Sequence, residues 1–259
     1  MADDGGAGRI GVAIVGHTAW ITIDNPRKRN AMGAAMWRRI PEVLDGIDAA
    51  GAVRSVVLTG AGTTFCAGAD ITELGAISGN GSGEDASVAA EHALLSCPLP
   101  TIALIDGHCV GGGCQLAAAC DIRIATPAAL FGITPAKLGI VYPQSSVRRL
   151  TEVVGASAAK LLLFSGEIVG ADRARELRLV DEVVPNARDR VESLTATIAA
   201  RSRLTVEASK ELVDLAARDA PLDERARHWQ SLSASSGESA EGIAAFVERR
   251  TPVFPYGRS

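Results

Sequence analysis

The sequence predicts an α/β fold with a helical C-terminal annex, and three observations carry that reading. A strand-like apolar run, a glycine-bearing turn and a helical pattern follow one another twice, over residues 55–74 and 101–119. Such alternation builds layers in which parallel strands are joined by crossover helices. After Pro143 the spacing of apolar residues becomes almost wholly helical. No repeat, low-complexity linker or second composition regime divides the 259 residues.

Composition narrows the partners. With 47% hydrophobic and 22% charged residues, the chain can bury one large core. A net charge of -4 gives no electrostatic reason to bind nucleic acid or an anionic membrane, and no apolar run reaches the roughly 18–20 residues that span a bilayer. Small molecules and further copies of the chain are the expected partners. The five cysteines are odd in number and form no C-x-x-C pair, and the start of the chain lacks a charged segment followed by a long apolar one. A reducing, cytoplasmic setting without disulfides is therefore expected.

Residues 1–8 are small and polar and read as a frayed end, and residues 10–15 and 19–23 as two strands turned at Gly16-His17. A basic loop follows, Asn25-Pro26-Arg27-Lys28-Arg29-Asn30. Residues 31–48 carry Met32, Met36, Ile40, Val43, Leu44 and Ile47 at helical spacing, with Pro41 expected to end a first helix or kink one long one. Residues 55–59 are a buried strand leading into Phe65-Cys66-Ala67-Gly68-Ala69-Asp70-Ile71-Thr72-Glu73. Asp70 and Glu73, three apart, fit a capping box at a helix start. Residues 77–86, with their Ser-Gly-Asn-Gly-Ser-Gly centre, have the composition of a surface loop or lid. A helix over 88–96, strands over 101–105 and 121–125, and a helix start at Thr134-Pro135 come next. Helices over 145–154, 157–164 and 171–177, an extended piece over 180–184, and amphipathic helices broken near Ser202, Pro221 and Gly237 complete the chain.

Chemistry concentrates in Gly107-His108-Cys109-Val110-Gly111-Gly112-Gly113-Cys114-Gln115-Leu116. Three successive glycines let the backbone approach a ligand closely, and the following helix start offers unpaired N–H groups. That combination suits a negative charge developing on oxygen. The sequence has no G-x-x-x-x-G-K-[ST] or G-x-S-x-G, the plainest marks of nucleotide-triphosphate and serine-hydrolase chemistry. The four histidines lack an i, i+4 partner, so no metal site is expected. His108 and Cys109 are adjacent on extended backbone and point apart, which argues against a Cys–His nucleophile.

In combination and order, the segments Asn25-Pro26 to Asn30-Ala31-Met32, Phe65 to Asp70, Gly107 to Gln115 with Cys120-Asp121, and Phe131-Gly132-Ile133-Thr134-Pro135-Ala136-Lys137-Leu138-Gly139 strongly resemble the crotonase superfamily, the enoyl-CoA hydratase/isomerase family. The similarity runs to Phe246-Val247-Glu248-Arg249-Arg250. It implies a spiral of ββα units over residues 1–190 that binds acyl-CoA, and a helical oligomerisation region over 191–259 that forms trimers or hexamers. It also implies a coenzyme A thioester as substrate, with no other cofactor. The backbone N–H groups of Ala69 and Gly112 would form an oxyanion hole for the thioester oxygen. Ala67 and Ile71 would line the adenine site, Arg27, Lys28 and Arg29 would lie near the CoA phosphates, and Phe246 and Arg249 would reach the CoA from a neighbouring subunit.

Two departures bear on the reaction. Hydratases of the family have one catalytic glutamate where this chain has Gln115, and a second where it has Pro135. An amide can orient water but cannot accept a proton near neutrality, and proline can do neither. Efficient two-glutamate hydration is thus not expected. The spacing from Thr134-Pro135 to Tyr142 is similar to the methylmalonyl-CoA decarboxylase branch, in which a tyrosine at this place helps hold the departing carboxylate. A noncatalytic acyl-CoA binder, or an isomerase or hydratase using Glu73, Glu91 or Asp106, are the other readings the sequence leaves open.

Overall fold

The computed structural model describes residues 8–49, 52–78 and 85–257. The frayed start expected at residues 1–8 and the loop or lid centred on residues 79–84 lie almost wholly outside them. β1 (Arg9–Val15) and β2 (Thr18–Asp24) form an antiparallel hairpin, with Gly16 at a φ of 58° in its turn. β3 (Ser55–Gly60), β4 (Thr101–Ile105), β6 (Ile122–Ala125) and β9 (Glu182–Val183) extend it into a six-stranded sheet of order β1-β2-β3-β4-β6-β9, parallel from β2 onward. A second sheet contains β5 (His108–Val110), β7 (Leu130–Gly132) and β8 (Ile168–Gly170), in the order β5-β7-β8. These three-residue strands are too short to show a period in sequence, and the sequence reading lacks them. Successive strands β4 and β5, then β6 and β7, are thereby shared between two sheets.

Side-chain alternation along the main sheet separates two apolar layers. Ile21, Ile23, Val56, Leu58, Ala103 and Ile105 face the larger core beneath α1 (Ala34–Ala49), α3 (Ala86–Ser96) and α4 (Gly112–Ala119). Trp20, Val57, Ile102, Leu104 and Ile124 face the other way, onto Ala187 and Val191 of α7 (Ala187–Ala199). That helix therefore belongs to the core packing and runs across residue 190, where the oligomerisation region was expected to begin.

Pro41 does not end α1, which runs unbroken through it. An interior proline costs about 3 kcal/mol, but Met36, Trp37, Ile40, Val43, Leu44 and Ile47 are all buried on one face of this helix. At roughly 1.5–3 kcal/mol for each large side chain, burial outweighs the lost hydrogen bond. The two helices expected after Pro143 are the halves of α5 (Gln144–Ser165), which breaks at Gly155 with φ 77° and ψ 161°. After α6 (Ala171–Glu176), β9 and α7, the chain closes with α8 (Arg203–Ala217), α9 (Asp223–Ser235) and α10 (Glu238–Glu248). Lys210 of α8 ties this end to the core, donating to Asp121 Oδ2 at 2.8 Å and to the Leu99 carbonyl at 3.0 Å. Ile243, Phe246 and Val247 leave an exposed apolar surface on α10. No helix among the described residues is long and apolar enough to cross a membrane.

The capping box at Asp70 and Glu73 is only half formed. Asp70 caps its own short 3-10 turn (Ile71–Glu73), accepting from the Thr72 N–H at 3.0 Å. Glu73 turns instead to α1, where its Oε2 accepts from the Ala34 N–H at 2.9 Å, an otherwise orphaned donor of that helix start. Pro135 opens a second 3-10 turn (Pro135–Leu138), but the Thr134 side chain makes no cap bond.

Candidate active site

Two loops meet beside α1 and bring the unpaired backbone donors of Ala69 and Gly112 together. The loop after β3 runs against β5: Phe65 N–H donates to the Asp106 carbonyl at 2.7 Å, Cys66 N–H to His108 at 2.8 Å, and Val110 N–H to Cys66 at 2.9 Å. Ala67 N–H donates to the Arg29 carbonyl at 3.0 Å, Met32 N–H to Gly68 at 2.8 Å, and Asp70 N–H to Met32 at 2.9 Å. Gly111 N–H donates to Gly132 at 2.7 Å, and Gln115 N–H closes the first turn of α4 onto Gly111 at 3.1 Å. Between these committed neighbours, the amides of Ala69 and Gly112 donate to no acceptor among the described residues.

Steric contacts show why the glycines are needed. Gly111 has a φ of 54° and Gly68 a φ of 111°, conformations that side chains resist. A Cβ at Gly112 would lie 2.7 Å from Trp37 Cζ2 and 3.3 Å from the Ala69 nitrogen. The glycine thus lets the start of α4 press onto the Trp37 ring while holding the two free amides together. Trp37 is itself fixed by its indole N–H, which donates to the Met32 carbonyl at 3.1 Å.

Both amides line a cavity of about 180 Å³ whose wall also includes Trp37, Ala67, Ile71, Asp85, Ser87, Gln115, Thr134, Pro135 and Tyr142. Gln115 Nε2 donates to Glu91 Oε2 at 2.8 Å and to the Ser87 carbonyl at 3.2 Å, so its Oε1 is the atom left over. Burial pushes the Tyr142 phenol well above its ordinary pKa, and the neighbouring Cys114 and Glu91 add to the effect. Its hydroxyl therefore stays protonated and makes no hydrogen bond among the described residues. A larger hollow of about 600 Å³ lies between α3 and α5, lined in part by His92, Arg148, Arg149, Glu152 and Arg218. It contains neither free amide, and two of its arginines are paired with Glu152.

The structure thus brings Ala67, Ala69, Ile71, Gly112, Gln115, Pro135 and Tyr142 to one cavity and leaves Arg27, Lys28, Arg29, Phe246 and Arg249 outside it. Arg27, Lys28 and Arg29 are exposed, and Lys28 is committed to an ion pair with Asp70. Phe246 and Arg249 do not line the cavity of their own chain. Among the carboxylates left open, Glu73 caps α1, Asp106 accepts from the Thr126 hydroxyl at 2.6 Å, and Glu91 stands directly behind Gln115. The sequence reading missed Trp37 and Asp85. Asp85 Oδ1 caps α3 through Ser87 and Val88, and its Oδ2 makes no hydrogen bond among the described residues.

The buried thiols are poor nucleophiles: desolvation raises Cys66 to about 12 and holds Cys109 well above its ordinary value. Among the described residues no cluster of three or more His, Cys, Asp or Glu side chains could hold a metal ion. What remains is a pair of fixed amide dipoles facing a cavity with an uncharged side-chain wall, save Asp85. Such a pair suits one oxygen that gains negative charge during a reaction.

Comparison with known proteins identifies the family. The family model for enoyl-CoA hydratase/isomerase matches residues 15–256. A probable enoyl-CoA hydratase of Bacillus subtilis is 34% identical over 257 residues, covering 95% of this chain and 98% of the relative. The mitochondrial Delta(3,5)-Delta(2,4)-dienoyl-CoA isomerase of Mus musculus is 30% identical, covering 90% and 77%. A solved enoyl-CoA hydratase/isomerase family member superposes with a TM-score of 0.92 at 39% identity, covering 98% of each chain. The chain belongs to the enoyl-CoA hydratase/isomerase family of the crotonase superfamily and has its fold.

Proposed function

We propose that this protein is an acyl-CoA-transforming enzyme that holds a thioester oxygen between the N–H groups of Ala69 and Gly112 and stabilises the enolate formed from it. The carrying observation is that these two amides, flanked by bonded neighbours, have no acceptor among the described residues, and that Ala69 and Gly112 both line one cavity. Losing one such donor typically costs about 10²–10³ in rate. Ala67 and Ile71, which line this cavity, would receive the adenine, with the 27–29 loop beside the phosphates. The exposed apolar surface of α10 supports a homotrimer, or a hexamer of two trimers, in which Phe246 and Arg249 reach a neighbour's CoA, and the five free cysteines fit a reducing, cytoplasmic setting.

The acyl carbons would face Gln115, Pro135 and Tyr142, which offer no carboxylate. Hydration by a pair of glutamates should then be slower by about 10²–10⁴ for each missing group. Tyr142 favours a second reading within the same chemistry, decarboxylation of a malonyl-type thioester. In that step the C–C bond to the carboxylate breaks, CO₂ leaves, and the electron pair passes to the enolate held by the two amides. No base is needed, and a protonated phenol without a protein partner can donate to the departing carboxylate.

Calorimetry and mass spectrometry with a panel of CoA esters test both readings. We expect binding of acyl-CoA, hydration of crotonyl-CoA far below the rate of a dedicated hydratase, and CO₂ release from malonyl-CoA or methylmalonyl-CoA that falls in Tyr142→Phe. Absence of acyl-CoA binding at millimolar concentration removes the proposal. Ordinary hydratase turnover would show that a carboxylate serves from elsewhere, and CO₂ release unchanged in Tyr142→Phe would remove the tyrosine's role. Binding without any mass change in the panel would mark a noncatalytic binder.

A further inference from the structure

Glu91 is fully buried in the middle of α3, and its two oxygens are treated unequally. Oε2 accepts from Gln115 Nε2 at 2.8 Å and from the Ser146 hydroxyl, in the first turn of α5, while Oε1 is buried with no hydrogen-bond partner. An interior carboxylate with one oxygen unsatisfied lowers stability, so its presence calls for a reason other than packing. The bond to Gln115 supplies one. With the Ser87 carbonyl at 3.2 Å taking the second amide proton, both donors of Gln115 are committed to protein acceptors, and Oε1 is left for the cavity that Gln115 lines. Gly112 and Gln115 are three residues apart on α4, so the oriented amide stands one turn along the same face from the free Gly112 N–H.

The same contacts make position 115 hostile to a negative charge. A glutamate there would meet the Glu91 carboxylate and the Ser87 carbonyl, two acceptors, where the amide has two protons to give. Gln115 is therefore more than a lost carboxylate. A buried carboxylate, Glu91, stands one side chain further back, and the amide lies between it and the ligand.

We propose that Glu91 is the positioning residue of this site: it fixes Gln115 with its carbonyl oxygen toward the acyl group and keeps position 115 uncharged. This rests on the acyl-CoA reading of the cavity, and the pair should be transposable. In Glu91→Gln/Gln115→Glu, the new amide at 91 donates to the new carboxylate at 115, which now faces the cavity as a base. It would take the C2 proton of a saturated thioester, the C–H electron pair passing into an enolate held by Ala69 and Gly112. The carboxyl proton then exchanges with solvent before one returns to C2.

The test compares wild type, Gln115→Glu, Glu91→Gln and the double variant. Thermal unfolding at pH 7.5 is read first, then calorimetry with butyryl-CoA, then deuterium uptake at its C2 in D₂O by mass spectrometry. Expected are a clear loss of thermal stability in Gln115→Glu, recovery in the double variant, and deuterium uptake at least tenfold above wild type in the double variant. The proposal is overturned if Gln115→Glu is as stable as wild type, if the double variant is no more stable than Gln115→Glu, or if wild type exchanges as fast as the double variant. Stability needs no ligand, so the cycle can succeed even if butyryl-CoA fails to bind. Failure to bind would count against the acyl-CoA reading and leave the Glu91–Gln115 coupling established.

Discussion

In the wall formed by Ala69 and Gly112, every neighbouring amide named above is tied to a partner, and a tryptophan ring leaves no room for a methyl group. In the wall formed by Gln115, Pro135 and Tyr142, the side chains are neutral, and the one nearby interior carboxylate is turned onto Gln115. The first wall provides a fixed electrostatic receptor. The second provides hydrogen bonds but no strong base. The contrast teaches that holding an enolate oxygen and moving a carbon-bound proton are separable tasks, placed on separate structural devices within one cavity. The backbone device depends on loop pairing and glycine geometry, whereas the proton-moving device depends on a few side chains that can change singly.

Gly112→Ala breaks the backbone wall with the largest expected effect. The new Cβ would lie 2.7 Å from Trp37 Cζ2 and 2.9 Å from Cη2, closer than real Cβ atoms approach, so the start of α4 or the ring must move. Acetoacetyl-CoA, whose enolate places charge on the thioester oxygen, is a suitable probe. Loss of one charge-assisted hydrogen bond should weaken its binding about 10–100-fold. Trp37→Phe in the same background removes the offending ring atoms and should restore part of the affinity. Gly46→Ala, on the same helix as Trp37 and with nothing within 4 Å of its new Cβ, should leave binding unchanged. Equal affinity in Gly112→Ala and wild type would show that the ligand oxygen is not held at this amide.

The two walls were also unequally legible in the sequence. Glycines at 68 and 111–113 mark the backbone wall because few other residues tolerate such φ values or close approaches, and β3 and β4, which lead toward them, are long enough to show their pattern. Trp37 was hidden because a tryptophan on an amphipathic helix reads as core. Glu91 was named only as one of three open carboxylates, since its partner Gln115 is 24 residues away and joins it only when α3 packs on α4. A signal was present: Ser87, Glu91 and Leu94 lie at helical spacing on one face and are all buried, placing a carboxylate among core positions. The capping box misled for a related reason. Asp70 and Glu73 have the right spacing, but Glu73 finds the orphaned Ala34 amide of α1, a tertiary partner that local sequence does not reveal.

That tertiary cap is the next test of how the backbone wall is held, with a smaller expected effect. Glu73→Ala removes the acceptor of the Ala34 N–H at the start of the helix that carries Trp37. Caps of this kind typically contribute about 0.5–2 kcal/mol, and the exposure of Glu73 favours the lower end. Urea unfolding should show a reduced midpoint with an unchanged slope. Glu73→Gln keeps an acceptor and should lose less. If both variants match wild type, the contact does not contribute to stability.

The smallest expected effect concerns pH, and it separates loop anchoring from cavity chemistry. The Lys28 ammonium, followed by the Thr72 hydroxyl and N–H, lowers the Asp70 carboxyl from 3.8 to about 2. A carboxyl depressed in the folded state favours folding at pH values above its unfolded pKa, and that contribution is lost as pH falls from about 3.8 through about 2. Wild type should therefore exceed Asp70→Asn in thermal stability at pH 7, with the gap closing over that acid window. Because Lys28 is largely exposed, added salt should narrow the gap at pH 7 as well. Lys28→Met should make the loss smaller and complete it at higher pH, the upper edge near 3.8 staying fixed, since the principal cause of the depressed value is gone. A gap that stays constant from pH 7 to pH 2.5 would mean that the charge of Asp70 does not contribute to stability. The joint between the basic loop and the Ala67–Ala69 turn would then rest on the backbone bond from Ala67 to Arg29, and the charge on Lys28 would be left for a ligand.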